Sequence, residues 1–300
     1  MSLIASGSNI GEITIWNSET GEVIHTLYGH TNFITSLCFS SDNSKLISAS
    51  LDNTIRKWNL ETGEIIYILR GHNDVVNSIS FNQDNSRIVS GSHDNKIKIW
   101  NSITGKCIHT LVGHTDWVRY VLFNSDSSRV ISGSFDKTIR IWNSKSGICL
   151  STLRCNYDGI ISLSVNLDDS KIFVGFRNNR IKIWNYQTGK CIHTLTESNS
   201  RFDSICFSPD GSKILTGYFD NKIKLWNSET GELIHILTRH RAYVISFSFN
   251  SDGSKIVSWS RDKTIRIWDS ETGKCINVIK YKNDYISSAC FTHNLIGSYI

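Results

Sequence analysis

A tryptophan recurs every 42 residues along this 300-residue chain, at Trp16, Trp58, Trp100, Trp142, Trp184, Trp226 and Trp268. Other positions keep the same period, because an isoleucine lies three residues before each of these tryptophans and a glycine lies five residues after it. A fixed period of this length indicates a repeat architecture. Seven such units occupy almost the whole chain and leave no room for a separate catalytic domain. We therefore expect a single domain over residues 1–300.

Each unit has the pattern of four short β-strands. In residues 33–69, the segments FITSLCF, KLISAS, TIRKW and EIIYIL are typical of strands, and polar turn residues separate them. No length remains for a helix. One four-stranded sheet cannot bury both of its faces alone, and radial stacking of sheets into a closed ring solves this problem. The sequence predicts an all-β fold, a seven-bladed β-propeller of four-stranded antiparallel blades.

The two ends of the chain predict how the ring closes. The sequence begins with SLIAS, which matches a second strand, and its last clear strand, YISSACF, matches a first strand. We expect a closing blade from residues 1–27 plus 284–300, in which pairing of the N- and C-terminal strands removes an exposed sheet edge. Because LIGS at Leu295–Ser298 echoes LIAS at Leu3–Ser6, either terminus could supply the second strand.

The repeated polar residues resemble those of a known family. A Gly-His pair precedes the first strand in three units, at Gly29-His30, Gly71-His72 and Gly113-His114, and a fourth unit has Arg239-His240. A small hydroxyl residue ten positions before the tryptophan, an acid six positions before it, and TIRIW-like strands ending in Asn or Asp269 complete the pattern. The chain resembles the WD-repeat β-propeller family over essentially its whole length.

This resemblance implies a hydrogen-bonded network in which Trp bonds a hydroxyl, the hydroxyl bonds His, and His bonds Asp. A buried indole N–H needs such a partner. The arrangement looks superficially like a catalytic Ser-His-Asp triad, but four copies without a nucleophile elbow favour a structural role. The complete sets are His30, Ser48, Asp52, Trp58; His72, Ser90, Asp94, Trp100; His114, Ser132, Asp136, Trp142; and His240, Ser258, Asp262, Trp268.

Three units depart from this pattern. The unit ending at Trp184 has Asn156, Val174 and Asn178 in the network positions, so its network should be absent or rebuilt. The next unit keeps Thr216 and Asp220 but has Ser198 in the histidine position, and the first unit has Ser6 but Ile10 in the acid position. The blade at 156–194 is either drifted or specialised for a partner.

The family resemblance also implies where partners bind, namely the face that carries the His and Asp loops. Three positions per unit on that face vary while their neighbours hardly change, and they are rich in aromatic residues and Arg, which are enriched in binding hot spots. The predicted partner-binding residues are Phe33, Trp117, Arg119, Phe135, Arg177, Arg201, Phe219, Tyr243, Arg261 and Tyr285. Alternatively, the aromatic residues only cover the central channel, or Phe33, Tyr243 and Tyr285 form a cage for methylated lysine.

Cofactor and metal sites are not expected. Four cysteines share a position that is aliphatic in other units, which predicts small buried side chains, and a zinc site needs about four converging ligands. These cysteines are Cys107, Cys149, Cys191 and Cys275. Cys155, which replaces a loop glycine, is expected to be the most reactive thiol. Trp259 occupies a position that is usually glycine and is expected to pack between blades.

The charge and motif content narrow the function. The formal net charge is only +5, and many Lys and Arg residues recur once per blade, so a nucleic-acid-associated factor is the alternative and not the first interpretation. The sequence lacks P-loop, GxSxG and HExxH motifs. The function favoured is a non-catalytic scaffold for protein or peptide partners, and an enzyme with an unrecognised site is a second alternative. With eight dispersed cysteines, no signal-peptide pattern and no long apolar run, we expect a monomeric cytoplasmic protein, with a nuclear location left open.

Overall fold

The structure of the protein is a computed structural model that describes residues 3–17, 20–155, 158–166, 168–196, 202–250, 252–280 and 286–291. These residues form seven four-stranded antiparallel sheets and contain no helix. The prediction of an all-β seven-bladed propeller is therefore confirmed. We number the blades from the N-terminus, and each blade runs from an inner first strand to an outer fourth strand.

The strands have the following bounds. Blade 1 contains β28 (Ile286–Phe291), β1 (Leu3–Ser8), β2 (Ile13–Asn17) and β3 (Val23–Leu27). Blade 2 contains β4 (Ile34–Phe39), β5 (Lys45–Ser50), β6 (Ile55–Asn59) and β7 (Ile65–Leu69). Blade 3 contains β8 (Val76–Phe81), β9 (Arg87–Ser92), β10 (Lys96–Asn101) and β11 (Cys107–Val112). Blade 4 contains β12 (Val118–Phe123), β13 (Arg129–Ser134), β14 (Thr138–Asn143) and β15 (Cys149–Arg154).

The remaining blades repeat the pattern. Blade 5 contains β16 (Ile160–Val165), β17 (Lys171–Phe176), β18 (Arg180–Asn185) and β19 (Cys191–Thr196). Blade 6 contains β20 (Phe202–Phe207), β21 (Lys213–Tyr218), β22 (Ile223–Asn227) and β23 (Leu233–Leu237). Blade 7 contains β24 (Val244–Phe249), β25 (Lys255–Ser260), β26 (Thr264–Asp269) and β27 (Cys275–Lys280).

Antiparallel order gives the ring two different faces. The loop before each first strand and the turn between the second and third strands lie at one end of the blade, which we name the loop face. The other two turns lie at the opposite end. The turn between the third and fourth strands contains the repeated glycine, which has a φ of 63° to 74° in every blade, a conformation that glycine adopts at little cost. The loop face is where the sequence predicted the partner-binding residues.

Neighbouring blades pack through apolar clusters, one at each of the seven interfaces among the described residues. Between blades 3 and 4, for example, Val89 and Ile97 pack with Val121 and Trp142, and each of these side chains is almost fully buried. Burial of a Val or Ile side chain contributes about 1.5–3 kcal/mol. Each sheet is thus stabilised mainly by its two neighbours, as the sequence predicted.

The ring closes within blade 1. β1 pairs with β28 in an antiparallel register that runs from Ile4 opposite Phe291 to Ser8 opposite Ile286. Leu3–Ser8 is therefore the second strand of this blade, which answers the question that the sequence left open. Residues 284–285 and 292–300, including LIGS, lie outside the described residues.

One blade interface is built differently from the others. At Gly91 an added Cβ would lie 2.7 Å from the Val118 Cγ1 atom of the next blade, so this position leaves no room for a side chain. The corresponding residue of blade 7 is Trp259, which is 0% exposed and packs with Ile4 and Trp16 of blade 1. The expectation that Trp259 fills the space between two blades is confirmed.

Candidate interaction face

The predicted network residues are joined by hydrogen bonds in all four complete sets. In blade 4, Trp142 Nε1 donates to Ser132 Oγ at 2.9 Å, Ser132 Oγ lies 2.7 Å from His114 Nε2, and His114 Nδ1 lies 2.7 Å from Asp136 Oδ2. The sets in blades 2, 3 and 7 have the same connections at 2.7–2.9 Å. Each indole is thus linked to a carboxylate near the loop face.

The protonation of this network follows from its geometry. An ionised carboxylate can only accept, so His Nδ1 carries the proton that it donates to Asp, and neutral Nε2 accepts from the serine hydroxyl. Burial lowers the pKa of His30 and His240 below 6.5 and keeps both rings neutral. Burial raises the pKa of Asp94, but hydrogen bonds from His72 and from backbone amides outweigh it and lower the pKa to about 2. Charge therefore remains on the aspartates.

The aspartates also fix the loop face. Asp136 accepts hydrogen bonds from the backbone amides of Thr115 and Thr138 at 3.1 and 2.8 Å. The Phe135 amide donates to the Trp117 carbonyl at 3.0 Å. The loop before β12 is thereby bound to the turn after β13, and equivalent bonds recur in blades 2, 3 and 7. The network therefore holds the variable residues in fixed positions.

The serine hydroxyls of the network are not placed for nucleophilic attack. Ser48, Ser90, Ser132 and Ser258 are 0% exposed. Each hydroxyl oxygen already accepts the hydrogen bond of a tryptophan. A substrate cannot reach these oxygens, so the resemblance to a catalytic triad does not extend to a substrate-binding geometry.

The incomplete blades use other residues. In blade 6, Trp226 donates to Thr216 Oγ1 at 2.7 Å, and this hydroxyl lies 3.4 Å from the Tyr218 hydroxyl. Blade 6 therefore has a shorter hydrogen-bonded network. Blade 5 has the apolar Val174 instead, and Trp184 Nε1 has no hydrogen-bond partner among the described residues. Blade 1 retains the bond from Trp16 to Ser6 at 2.8 Å. Asn156 and Ser198 lie outside the described residues.

Five residues from three blades form the Trp117 cluster on the loop face. The ring of Trp117 stacks on His93 of blade 3, with centroids 3.9 Å apart, and its centroid lies 5.6 Å from that of Phe135. The guanidinium Cζ atoms of Arg119 and Arg177 lie over the ring of Phe135, 5.8 and 5.5 Å from its centroid. Trp117 is 42% exposed despite these contacts. A large aromatic surface is therefore held in place and open to solvent.

A second group on this face joins blades 6 and 7. Phe219 lies 4.7 Å from Tyr243, and the Arg261 guanidinium lies 5.4 Å from the Tyr243 ring. Phe219 is 45% exposed, and Arg261 is also exposed. Seven of the ten predicted partner-binding residues therefore lie in these two groups, namely Trp117, Arg119, Phe135, Arg177, Phe219, Tyr243 and Arg261.

The other predicted residues are more isolated. Phe33 of blade 2 is 44% exposed and has no aromatic contact among the described residues. Arg201 and Tyr285 lie outside the described residues. Phe33 and Tyr243 belong to blades that are separated by blade 1, and no contact between them is found within the described parts of the chain. The proposed methyl-lysine cage therefore has no geometric support from these two rings.

The loop face also contains residues that the sequence did not predict to bind a partner. His93 is not among the predicted partner-binding residues, although its stacking on Trp117 makes it part of the Trp117 cluster. The sequence shows only that His93 belongs to the unit before that of Trp117. The contact across the boundary between the two blades is what places it in the cluster. Arg119 also donates to Asn77 Oδ1 at 3.3 Å, which links blades 4 and 3.

Two expectations about cysteine were wrong. Cys107 and Cys191 are exposed, and Cys149 and Cys275 are partly exposed, because the outer strand of each blade is not covered by a neighbouring sheet. Cys155 is buried, and burial raises its pKa to about 12. Since the thiolate is the reactive form, Cys155 is poorly disposed to react.

The described residues contain no group of three or more His, Cys, Asp or Glu side chains arranged to hold a metal ion. Within the same residues no helix has the length and apolar character that a membrane crossing requires.

Comparison with known proteins supports the structural assignment. Residues 33–203, more than half of the chain, match the family model of the IFT122 first beta-propeller. Residues 189–227 and 231–269 match the WD domain, G-beta repeat.

Similar segments occur in longer proteins. Periodic tryptophan protein 2 of Arabidopsis thaliana is 43% identical over 54 residues, which is 18% of this chain and 6% of that protein. WD repeat and SOCS box-containing protein 1 of Danio rerio is 44% identical over 55 residues, or 18% of this chain and 13% of that protein. The matched segments thus span only a small part of these relatives. From the family models and the seven-bladed ring, the chain belongs to the WD-repeat β-propeller family.

Proposed function

We propose that this protein is a non-catalytic scaffold that binds protein or peptide partners on its loop face and assembles them into a complex. The observation that carries the proposal is the Trp117 cluster, in which an exposed tryptophan is flanked by aromatic and arginine side chains. Tryptophan, tyrosine and arginine dominate binding energy at protein interfaces. The WD-repeat fold is typically used for protein interactions.

Rigidity supports the same proposal. The hydrogen bonds of Asp136 and the bond between Phe135 and Trp117 fix the two segments of blade 4 that carry Trp117 and Phe135. A surface that is already ordered loses less conformational entropy when a partner binds. The cluster can therefore contribute its contact area to affinity.

The alternative function, association with nucleic acid through repeated Lys and Arg residues, has less support. Arg56 and Lys182 are buried, and Lys98, Arg140 and Lys224 lie 5.8–5.9 Å from the tryptophan ring of their own blade. Cations that pack on indoles within the blades are poorly placed to contact a phosphate backbone. A nuclease treatment that releases captured partners would favour this alternative.

The test is affinity capture followed by mass spectrometry, with the parent protein compared with the variant Trp117→Ala/Arg119→Ala/Phe135→Ala. We expect the variant to fold and to lose specific partners. The matched control is Ile103→Ala, because Ile103 is 70% exposed and lies at the opposite end of the blades. If the folded triple variant retains every partner of the parent, the loop-face proposal is wrong.

Location and oligomeric state belong to the same proposal. We propose a monomer in the cytoplasm, on the basis of the cysteine usage and of a ring in which each described blade packs against two others. Light scattering of the purified protein and fractionation of cells test these two points.

A further inference from the structure

The loop that leads into blade 7 differs in charge from its counterparts. Residues 239–242 read Arg-His-Arg-Ala, whereas residues 113–116 of blade 4 read Gly-His-Thr-Asp. With histidine neutral, the blade 7 loop carries two positive charges and the blade 4 loop carries one negative charge. The carboxylate missing from blade 7 occurs at the same position of the repeat in four other units, as Asp74, Asp116, Asp158 and Asp284.

The turn that contains Arg261 is hydrogen-bonded to this loop, and Arg261 contacts the second aromatic group. Arg239, Arg241 and Arg261 are all exposed, and no ion pair with a carboxylate involves them among the described residues. Arg261 stacks on Tyr243, which contacts Phe219. We name these five residues the blade 7 patch. It combines three guanidinium groups with an exposed aromatic surface.

Hydrogen bonds join the two backbone segments of blade 7 that carry the arginines. Asp262 accepts from His240 Nδ1 and from the Arg241 amide, each at 2.9 Å. The Arg261 amide donates to the Tyr243 carbonyl, also at 2.9 Å. Asp262 is thus engaged internally, and its single charge leaves the three arginines with an excess of positive charge. The arginines project from two backbone segments whose separation is fixed.

The chemistry of the patch selects an anionic partner. The planar guanidinium group forms paired hydrogen bonds with carboxylate or phosphate groups. Among the described residues, each of the two flanking turns contains an acid, because Asp220 of blade 6 pairs with Lys222 at 2.8 Å and Glu12 lies in the corresponding turn of blade 1. A nucleic-acid backbone needs a longer basic track. A short anionic segment fits this area better.

We propose that the blade 7 patch binds an acidic segment of a peptide or protein partner. Its carboxylate or phosphate groups contact Arg239, Arg241 and Arg261, and a neighbouring apolar side chain contacts Phe219. This inference rests on the proposed function, since it assigns a ligand class to one part of the loop face.

The test uses fluorescence anisotropy with labelled five-residue peptides. The probes are EELEE, its neutral counterpart QQLQQ, and a peptide in which phosphoserine replaces two glutamates, with a dT12 oligonucleotide as the nucleic-acid probe. The variant is Arg239→Gly/Arg241→Thr/Ala242→Asp, which gives blade 7 the loop sequence of blade 4. Because this chain already folds that loop in another blade, we expect the variant to fold, which thermal unfolding checks.

We expect EELEE to bind the parent more tightly than QQLQQ, with an affinity that decreases as salt increases. The loop variant should bind EELEE about tenfold more weakly or worse, since it loses two guanidinium contacts and gains a repulsive carboxylate. Tighter binding of the phosphoserine peptide identifies phosphate as the anion, and equal or weaker binding identifies carboxylate.

Unchanged EELEE binding by the folded variant overturns the inference, and so does tighter binding of dT12 than of either acidic peptide. The variant Trp117→Ala/Arg119→Ala/Phe135→Ala should bind EELEE like the parent. Failure of the acidic-peptide inference is therefore distinguishable from failure of the loop-face proposal, which the capture experiment measures independently.

Discussion

The indole of the repeat donates to a hydroxyl ten residues earlier in six of the seven blades. The exception is blade 5, where Val174 replaces the hydroxyl residue and Trp184 Nε1 lacks a partner among the described residues. A hydrogen bond of this kind makes a net contribution of about 0.5–1.5 kcal/mol to the free energy of unfolding. The two kinds of blade allow its contribution to be measured within one molecule.

At the residue scale, we predict a coupling energy of about 1 kcal/mol between Trp142 and Ser132. The measurement is a double-mutant cycle of Trp142→Phe and Ser132→Ala, with the free energy of unfolding taken from urea titrations. The corresponding cycle of Trp184→Phe and Val174→Ala is the control, because no hydrogen bond joins that pair. Equal coupling energies in the two cycles would refute the assigned role of the hydrogen bond.

Some side-chain contacts could be predicted from the sequence and others could not. The network of blades 2, 3, 4 and 7 could be placed from spacing because all its members belong to one repeat. The Tyr218 hydroxyl near Thr216 could not be placed, because tyrosine in a serine position gives no indication of where its ring lies. The stacking of His93 on Trp117 depends on the distance between two blades, which the period does not specify.

At the scale of the element, the interface between blades 7 and 1 depends on one large side chain. Trp259 is fully buried where most blades have glycine, so its removal leaves a cavity between two sheets. We predict that Trp259→Ala lowers the free energy of unfolding by about 3–5 kcal/mol. Urea titration measures the loss.

Trp117→Ala is the matched control for this substitution, because it removes the same side chain from a position that is 42% exposed. It should cost much less stability. Comparable losses from the two variants would contradict the assignment of Trp259 as the residue that fills this interface.

The period of 42 residues was sufficient to predict the strands, their order in each blade and the number of blades. It could not predict the exposure of Cys107 and Cys191, since an aliphatic position on an outer strand has the same pattern as one in the core. The outer strand of a blade is not covered by a neighbouring sheet, and this follows from its place in the ring and not from the sequence of one unit.

At the scale of the whole molecule, stability depends on closure through β28. Removal of residues 286–300 exposes the edge of β1 and the apolar surface that packs against blades 2 and 7. We predict that this truncated protein loses its cooperative thermal transition and aggregates, as measured by calorimetry and size-exclusion chromatography. A synthetic peptide of residues 284–300 should restore the transition. A truncated protein that unfolds cooperatively at the parental temperature would refute this dependence.

The pairing of β1 with β28 has a consequence for biosynthesis. A ribosome adds about 5–20 residues per second, so β28 emerges roughly 15–60 s after the strand that it must join. Throughout that interval the nascent chain presents an unfinished sheet to the surrounding proteins. Newly made chains therefore need protection from association with one another. An arrest of translation shortly before Ile286 would leave blades 2 to 7 translated and blade 1 without its innermost strand.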